Sequence, residues 1–97
     1  MIPAKYKLLG HTISVRIVPE SRWKAKDCVG TYEPHRHRIL IRGSATPSLR
    51  EHTYVHELVH SILGAMGHRL NEDEEFVDMF AGLLHQALTT SEGGRKG

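Results

Sequence analysis

The chain has 97 residues and a formal net charge of +2, which suits one compact domain with a modest core over residues 1–88. It lacks any apolar stretch near the roughly 20 residues that cross a bilayer, and its first residues lack the apolar run of a secretory signal. Because Cys28 is the only cysteine, an intramolecular disulfide is excluded and we expect a cytoplasmic protein without membrane contact.

The first predicted element is a strand over residues 12–18. Apolar side chains at Ile13, Val15 and Ile17 alternate with polar ones, which is the two-residue period of a half-buried strand. One face of this strand is therefore expected to contact the core, and the other face is expected to contact solvent.

The next segment predicts a second extended region. Residues 20–27 carry Trp23 among charged side chains and fit either a short helix or a loop. Residues 29–33 and 37–42 return to a strand-like pattern, and a turn around Pro34 separates them. These two stretches therefore predict a β-hairpin.

A long helix is predicted over residues 47–63. Proline is well tolerated at the first helical position after a capping hydroxyl, so Thr46 and Pro47 mark its start. Ser48 and Glu51 offer an alternative capping box one turn later. The order of these signals leaves two possible N-termini for the same helix.

A second helix is predicted after the glycine-containing segment 64–67. Asn71 and Glu74 have the spacing of a capping box, and apolar residues then recur at helical spacing as far as Leu88. Residues 89–97 are polar and rich in glycine, so we expect a disordered tail there.

The run from His56 to His60 contains the spacing of a zinc site on a helix. Residues four apart lie on the same helical face, so His56 and His60 can reach one metal ion. Glu57 lies beside that row, where a carboxylate can take a proton from a metal-activated water. His52 and His56 are also four apart, but Thr53 follows His52, so only the later pair has its own general base.

A catalytic zinc site needs a third protein ligand, and residues 72–75 offer four consecutive acids. On the second helix Glu74 lies at the border of the apolar arc, as His56 and His60 do on the first, so packed helices would bring them together. Its alternative role is the end of the capping box that Asn71 begins. Asp78, one turn later, is suited to orient a ligating imidazole, and His68 is the main rival as third ligand.

Three stretches carry a family resemblance: Arg38-Ile-Leu-Ile-Arg42, Tyr54-Val-His-Glu-Leu-Val-His-Ser-Ile-Leu63 and Glu74-Glu-Phe-Val-Asp-Met-Phe-Ala81. With the hairpin that begins at Gly30, they resemble the ImmA/IrrE-type metallopeptidases of the gluzincin group and their small phage-encoded relatives. Val59 departs from that pattern, which often has glycine or alanine before the second histidine. The metzincin class is excluded, since Leu63 and Met66 stand where that pattern needs glycine and histidine.

The resemblance implies an α+β fold in which a small, largely antiparallel three-stranded sheet packs on two long helices, a minimal zincin-like core. It also implies that Glu74 is the third zinc ligand and that Asp78 orients a histidine ligand. A peptide or protein substrate would add as a strand at the sheet edge, along one arm of the 29–42 hairpin.

The function expected from these residues is that of a zinc metallopeptidase, most simply an endopeptidase. Zinc would be held by His56, His60 and Glu74, and Glu57 would act as general base. An oxyanion donor is also required, and three side chains are candidates for it: Tyr54, His52 and His68.

Two other functions fit parts of the sequence. A non-catalytic, zinc-stabilised protein-interaction module of phage type would recruit His68 as a fourth ligand and leave no place for water. A nucleic-acid binder would use the basic residues between positions 36 and 42, with steeply salt-dependent affinity. The net charge of +2 is too small to predict nucleic acid as a partner by itself.

Overall fold

A computed structural model describes residues 2–94 of the chain. Its regular elements are the strands β1 (Lys5–Leu8), β2 (His11–Val18), β3 (Gly30–Glu33) and β4 (Arg38–Arg42) and the helices α1 (Pro47–Met66) and α2 (Glu74–Thr90). Short 3₁₀ turns cover Glu20–Arg22, Pro34–Arg36 and Arg69–Glu72. The predicted α+β class is confirmed, and no helix within the described residues is long and apolar enough to span a membrane.

The four strands form one mixed sheet in the order β1-β2-β4-β3. The prediction of three strands was wrong, because β1 was missed. Two of the three pairings are antiparallel, as the prediction of a largely antiparallel sheet requires, but β2 pairs with β4 in parallel. The β1–β2 turn has Leu9 at φ 50°, where asparagine or glycine is usual, so the sequence carries only a weak hairpin signal there.

The predicted hairpin of β3 and β4 is confirmed, and the two strands pair antiparallel from Gly30 opposite Ile41 to Glu33 opposite Arg38. β4 lies inside the sheet, between β2 and β3, so both of its edges are paired with another strand. β3 is the outer strand on that side. Of the two hairpin arms, only β3 therefore presents a free edge.

The hydrophobic core has two parts, with α1 between them. One part is the inner face of the sheet: Ile13, Val15, Ile39 and Ile41. The other part joins α1 to α2 and contains Val55, Val59, Val77 and Ala81. The layers are therefore sheet, α1 and then α2, whereas the prediction placed both helices on the sheet.

The α1 face that points toward the sheet is polar. Thr53, Glu57 and Ser61 recur every four residues and are all buried. The Ser61 hydroxyl donates to the carbonyl of Leu58 at 2.7 Å, so its oxygen accepts the hydrogen of the Tyr6 hydroxyl, also at 2.7 Å. This hydrogen bond connects β1 to α1. Burial raises the pKa of the Tyr6 hydroxyl to about 12.

The helix ends follow local capping chemistry. The Thr46 hydroxyl accepts the backbone N–H of Leu49. α1 extends to Met66, three residues beyond the predicted end, and Gly67 caps it with a φ of 64° that suits glycine. At the start of α2 the Asp73 carboxylate accepts the N–H of Phe76 at 3.0 Å. The predicted capping box of Asn71 with Glu74 was therefore wrong.

α2 ends at Thr90, two residues beyond the predicted end, so residues 89 and 90 of the expected disordered tail are helical. Residues 91–94 have no regular secondary structure, and residues 95–97 of that tail lie outside the described residues.

Candidate metal centre

The centre is formed by side chains from both helices. His56 and His60 lie one turn apart on α1, and Glu74 is the first residue of α2. The Nε2 atom of His56 lies 3.4 Å from Glu74 Oε1, and that of His60 lies 3.1 Å from Glu74 Oε2. One ligand atom from each of the three residues lies within 4.8 Å of the other two.

The Nδ1 atom of each imidazole, on the side of the ring that faces away from Glu74, has its own partner. Nδ1 of His60 lies 2.7 Å from the Asn71 side-chain oxygen, and Nδ1 of His56 lies 3.4 Å from the Asp78 carboxylate. Since an amide oxygen only accepts, Nδ1 of His60 donates to it, and Nε2 is then the ring atom with a free lone pair. Second partners of this kind fix the tautomer of metal-binding histidines.

This arrangement fits a cation. The Nε2 lone pair of neutral His60 and the Glu74 carboxylate are both acceptors, so a proton or a cation between them is needed to offset their repulsion. Tetrahedral zinc, with bonds of about 2.0–2.2 Å, separates neighbouring donor atoms by about 3.3–3.6 Å. The Oε1 atom of Glu74 lies 3.4 Å from Nε2 of His56 and 3.3 Å from Nε2 of His60, and both separations match that range.

Glu57 is buried between α1 and the sheet, with only 9 % of its surface exposed. Burial raises the pKa of its carboxyl, the neighbouring His56 and His60 act in the opposite direction, and Glu74 raises it further. A carboxylate with a raised pKa beside a metal site is suited to accept a proton from water and release it again.

Gly30 on β3 allows the strand to approach this part of the helix closely. A Cβ atom at position 30 would overlap the Thr53 methyl group and would lie 3.2 Å from the Leu40 carbonyl oxygen and 3.6 Å from Glu57 Cγ. The absence of a side chain therefore brings the free sheet edge against the turn of α1 that carries Glu57.

Two clefts flank the centre, and Glu57 borders both. The larger, of about 520 Å³, also contacts His60, and its apolar lining includes Leu8, Leu9, Ile13, Tyr32 and Ala65. The smaller, of about 220 Å³, contacts His56 and includes Gly30, His52 and Asp78. β3 runs past both clefts, since Tyr32 lines the first and Gly30 the second.

The remaining predicted side chains have different surroundings. Nε2 of His52 lies 3.6 Å from the Asp78 carboxylate, at the edge of the smaller cleft. His68 accepts the Leu70 N–H through Nδ1 at 3.1 Å and thereby caps a 3₁₀ turn. Tyr54 packs against both parts of the core.

Sequence reasoning missed four residues near the centre. Asn71 was assigned to a helix cap, and its position between two helices gave no sign that it faces His60. Tyr32 was seen only as part of a strand. His11 and His37 stack with ring centroids 4.7 Å apart at the larger cleft, although they are 26 positions apart in the sequence.

Comparisons with known proteins return no match, since no family model, no curated protein and no solved structure is significantly similar to this chain. The possible roles of these residues therefore follow from their chemistry and from the distances between them.

Proposed function

We propose that the chain is a zinc-dependent metallopeptidase. The observation that carries this proposal is the approach of His56, His60 and Glu74 to within metal-binding distance beside the buried carboxylate of Glu57. Two imidazoles and one carboxylate form a donor set that catalytic zinc sites use, with one position left for water or substrate. A zinc ion held there would supply Lewis acidity and lower the pKa of a bound water.

In this proposal Glu57 performs the proton transfers. Its carboxylate takes a proton from the attacking water and passes it to the amine nitrogen that leaves when the peptide bond breaks. Asn71 and Asp78 hold the two imidazoles in one orientation, so that both Nε2 atoms face Glu74. Of the three predicted oxyanion donors, His52 is the one whose contacts keep it beside the centre, through Asp78.

The substrate in this proposal is an extended peptide or protein segment that adds to the free edge of β3. Edge addition supplies backbone hydrogen bonds whatever the side chains are, and antiparallel pairing is the more stable arrangement. A peptide antiparallel to β3 would pass from Tyr32 toward Gly30. The apolar cleft at Tyr32 would then receive a large apolar side chain on the N-terminal side of the cleaved bond.

The alternative of a non-catalytic zinc-stabilised module needs a fourth protein ligand, and His68 was the predicted candidate. Within residues 2–94 the group of donors that can share one ion contains His56, His60 and Glu74. The Nδ1 atom of His68 is already engaged with the Leu70 N–H. This supports an open site over a closed one.

The test combines metal analysis with one substitution. Glu57→Gln keeps the shape of the side chain but cannot accept the proton, so we expect full zinc binding and a loss of peptide hydrolysis of roughly 10²- to 10⁴-fold. Glu75→Gln, an exposed carboxylate outside the donor group, is the matched control and should retain both properties. Undiminished hydrolysis by Glu57→Gln would refute the mechanism, and wild-type protein that binds no zinc would refute the class.

A further inference from the structure

The face of the sheet that α1 leaves uncovered carries a groove of about 490 Å³. Five cationic side chains line it, contributed by β2, the connection to β3, the turn after β3 and the start of β4: Arg16, Arg22, Lys24, Arg36 and Arg38. Glu33 is the only acid among its lining residues, and it pairs with Arg38. Among residues 2–94 no carboxylate lies within ion-pair distance of the other four cations, so the groove attracts anions.

Trp23 gives the same groove an aromatic surface. The side chain is half-buried, and its indole N–H donates to the carbonyl of Ala25. Apolar atoms of Val18 and Leu40 also line the groove. A flat ring beside apolar side chains and unpaired cations offers both a stacking surface and contacts for phosphate groups.

Arg42 holds the segment that carries Trp23 in place. Its Nε and Nη2 atoms donate to the Glu20 carboxylate at 2.8 and 2.6 Å, and Nη1 donates to the Lys26 carbonyl at 3.2 Å. The segment is therefore fixed on both sides of the ring. Because a fixed ring has little conformational entropy left to lose, a ligand that stacks on it would bind with a smaller entropic cost than on a mobile ring.

We propose that this groove binds single-stranded nucleic acid, with bases stacked on Trp23 and phosphates bound by Arg16, Arg22, Lys24 and Arg36. In a duplex the bases are stacked on one another, so their faces are not available to stack on Trp23. An acidic peptide would contact the cations but would not use the aromatic surface. The groove is on the opposite face of the sheet from the metal centre, so this proposal does not depend on peptidase activity.

This groove differs from the basic cluster that the sequence suggested between positions 36 and 42. Arg42 is engaged with Glu20, and Arg38 with Glu33, so two members of that cluster are neutralised. Arg16, Arg22 and Lys24 replace them, and they come from other parts of the chain. A net charge of +2 averages over the whole surface and conceals this concentration of cations.

The chain contains one tryptophan, so its intrinsic fluorescence reports on the groove directly. We expect addition of oligothymidylate to quench this emission. Four phosphate contacts should give a slope of about −3 when the logarithm of the binding constant is plotted against the logarithm of salt concentration. Measured by anisotropy of a labelled oligonucleotide, Trp23→Ala should weaken binding roughly 5- to 150-fold and Trp23→Phe much less.

Charge variants distinguish binding in the groove from non-specific attraction of nucleic acid to a positively charged protein. Arg16→Gln with Arg36→Gln should halve the salt slope and weaken binding about 25-fold at 0.1 M salt. Arg50→Gln with Arg69→Gln removes the same charge from the helical side and should have little effect. The proposal is overturned if both double variants weaken binding equally, if a duplex of equal length binds as tightly, if an oligoglutamate of equal charge competes equally, or if emission does not change.

Discussion

The two faces of the sheet are built from the same strands but have opposite chemistry. On β2, Val15 is buried under α1 while its neighbour Arg16 lines the basic groove, and on β4 the same relation holds for Ile39 and Arg38. Because strand side chains alternate between faces, each strand contributes to the core with one set of residues and to the open surface with the other. One strand segment can therefore position two independent sites.

The comparison also shows where the polar groups of the covered face come from. The buried residues on the inner face of the sheet are apolar, and the carboxylate and imidazoles that could share one ion are supplied by the helices. On the open face the strands themselves supply part of the charge. A substitution in one site should consequently leave the other unaffected.

The largest effect is expected from loss of the acidic donor. Glu74→Ala removes one of three converging side chains, and zinc affinity should fall by more than the roughly 10- to 100-fold that loss of an outer partner costs. Competition with a chromophoric chelator measures this affinity. Glu75→Ala is the adjacent control, and oligonucleotide binding should be unchanged in both variants. Equal zinc affinity in the two variants would exclude Glu74 as a ligand.

The partners of the imidazoles should have the next largest effect. Asn71→Ala and Asp78→Ala each leave one Nδ1 atom without its partner, so zinc affinity should fall roughly 10- to 100-fold in each. Glu72→Ala, an exposed neighbour of Asn71, serves as control in the same chelator competition. If neither variant differs from wild type, ring orientation is set by packing alone.

Gly30→Ala tests the contact between the free edge and α1. The added methyl group meets Thr53 and the Leu40 carbonyl, and such overpacking should lower the free energy of unfolding by about 1–3 kcal/mol. Gly82→Ala is a matched change inside α2, where the new Cβ would lie 3.6 Å from the His52 ring, so stability should be unchanged or slightly raised. Urea denaturation measures both. Equal stability of Gly30→Ala and wild type would show that β3 can move away from the helix.

The smallest expected effect is a pH-dependent change in stability from a substitution on the open face of the sheet. Hydrogen bonds from Arg42 and Ser44 lower the pKa of Glu20 to about 2, so its stabilising contribution is complete above the unfolded pKa, near 4.5, and disappears as pH falls toward 2. Glu20→Gln should be slightly less stable than wild type at pH 7, and this difference should vanish near pH 2. Denaturation followed by Trp23 emission measures it, and a difference that grows at low pH would contradict the assigned contacts.

Local patterns in the sequence predicted much of the fold. The alternation of Ile13, Val15 and Ile17 indicated β2, and Thr46 with Pro47 marked the start of α1. Pairing between distant strands could not be predicted in this way, because the parallel contact of β2 with β4 depends on how the chain between them crosses the sheet. β1 escaped notice because its four residues are too short for a clear period.

For the metal centre, helical spacing predicted that His56, His60 and Glu74 would come together, because all three lie at the border of an apolar arc. The role of Asn71 beside His60 depends on the path of the connection between the helices, for which no periodic rule exists. The basic groove was missed for a similar reason, since Arg16 and Lys24 are brought together only by the folded sheet.

The position of the donor atoms on both sides of the connection between α1 and α2 has a thermodynamic consequence. A cation shared by His60 and Glu74 binds only when the two helices are docked, so it acts as a reversible cross-link whose strength depends on free metal concentration. At a free concentration 100 times Kd, folding would gain about 2.7 kcal/mol. The melting temperature would therefore rise with the logarithm of metal concentration, and a thermal titration would measure metal affinity without any substrate.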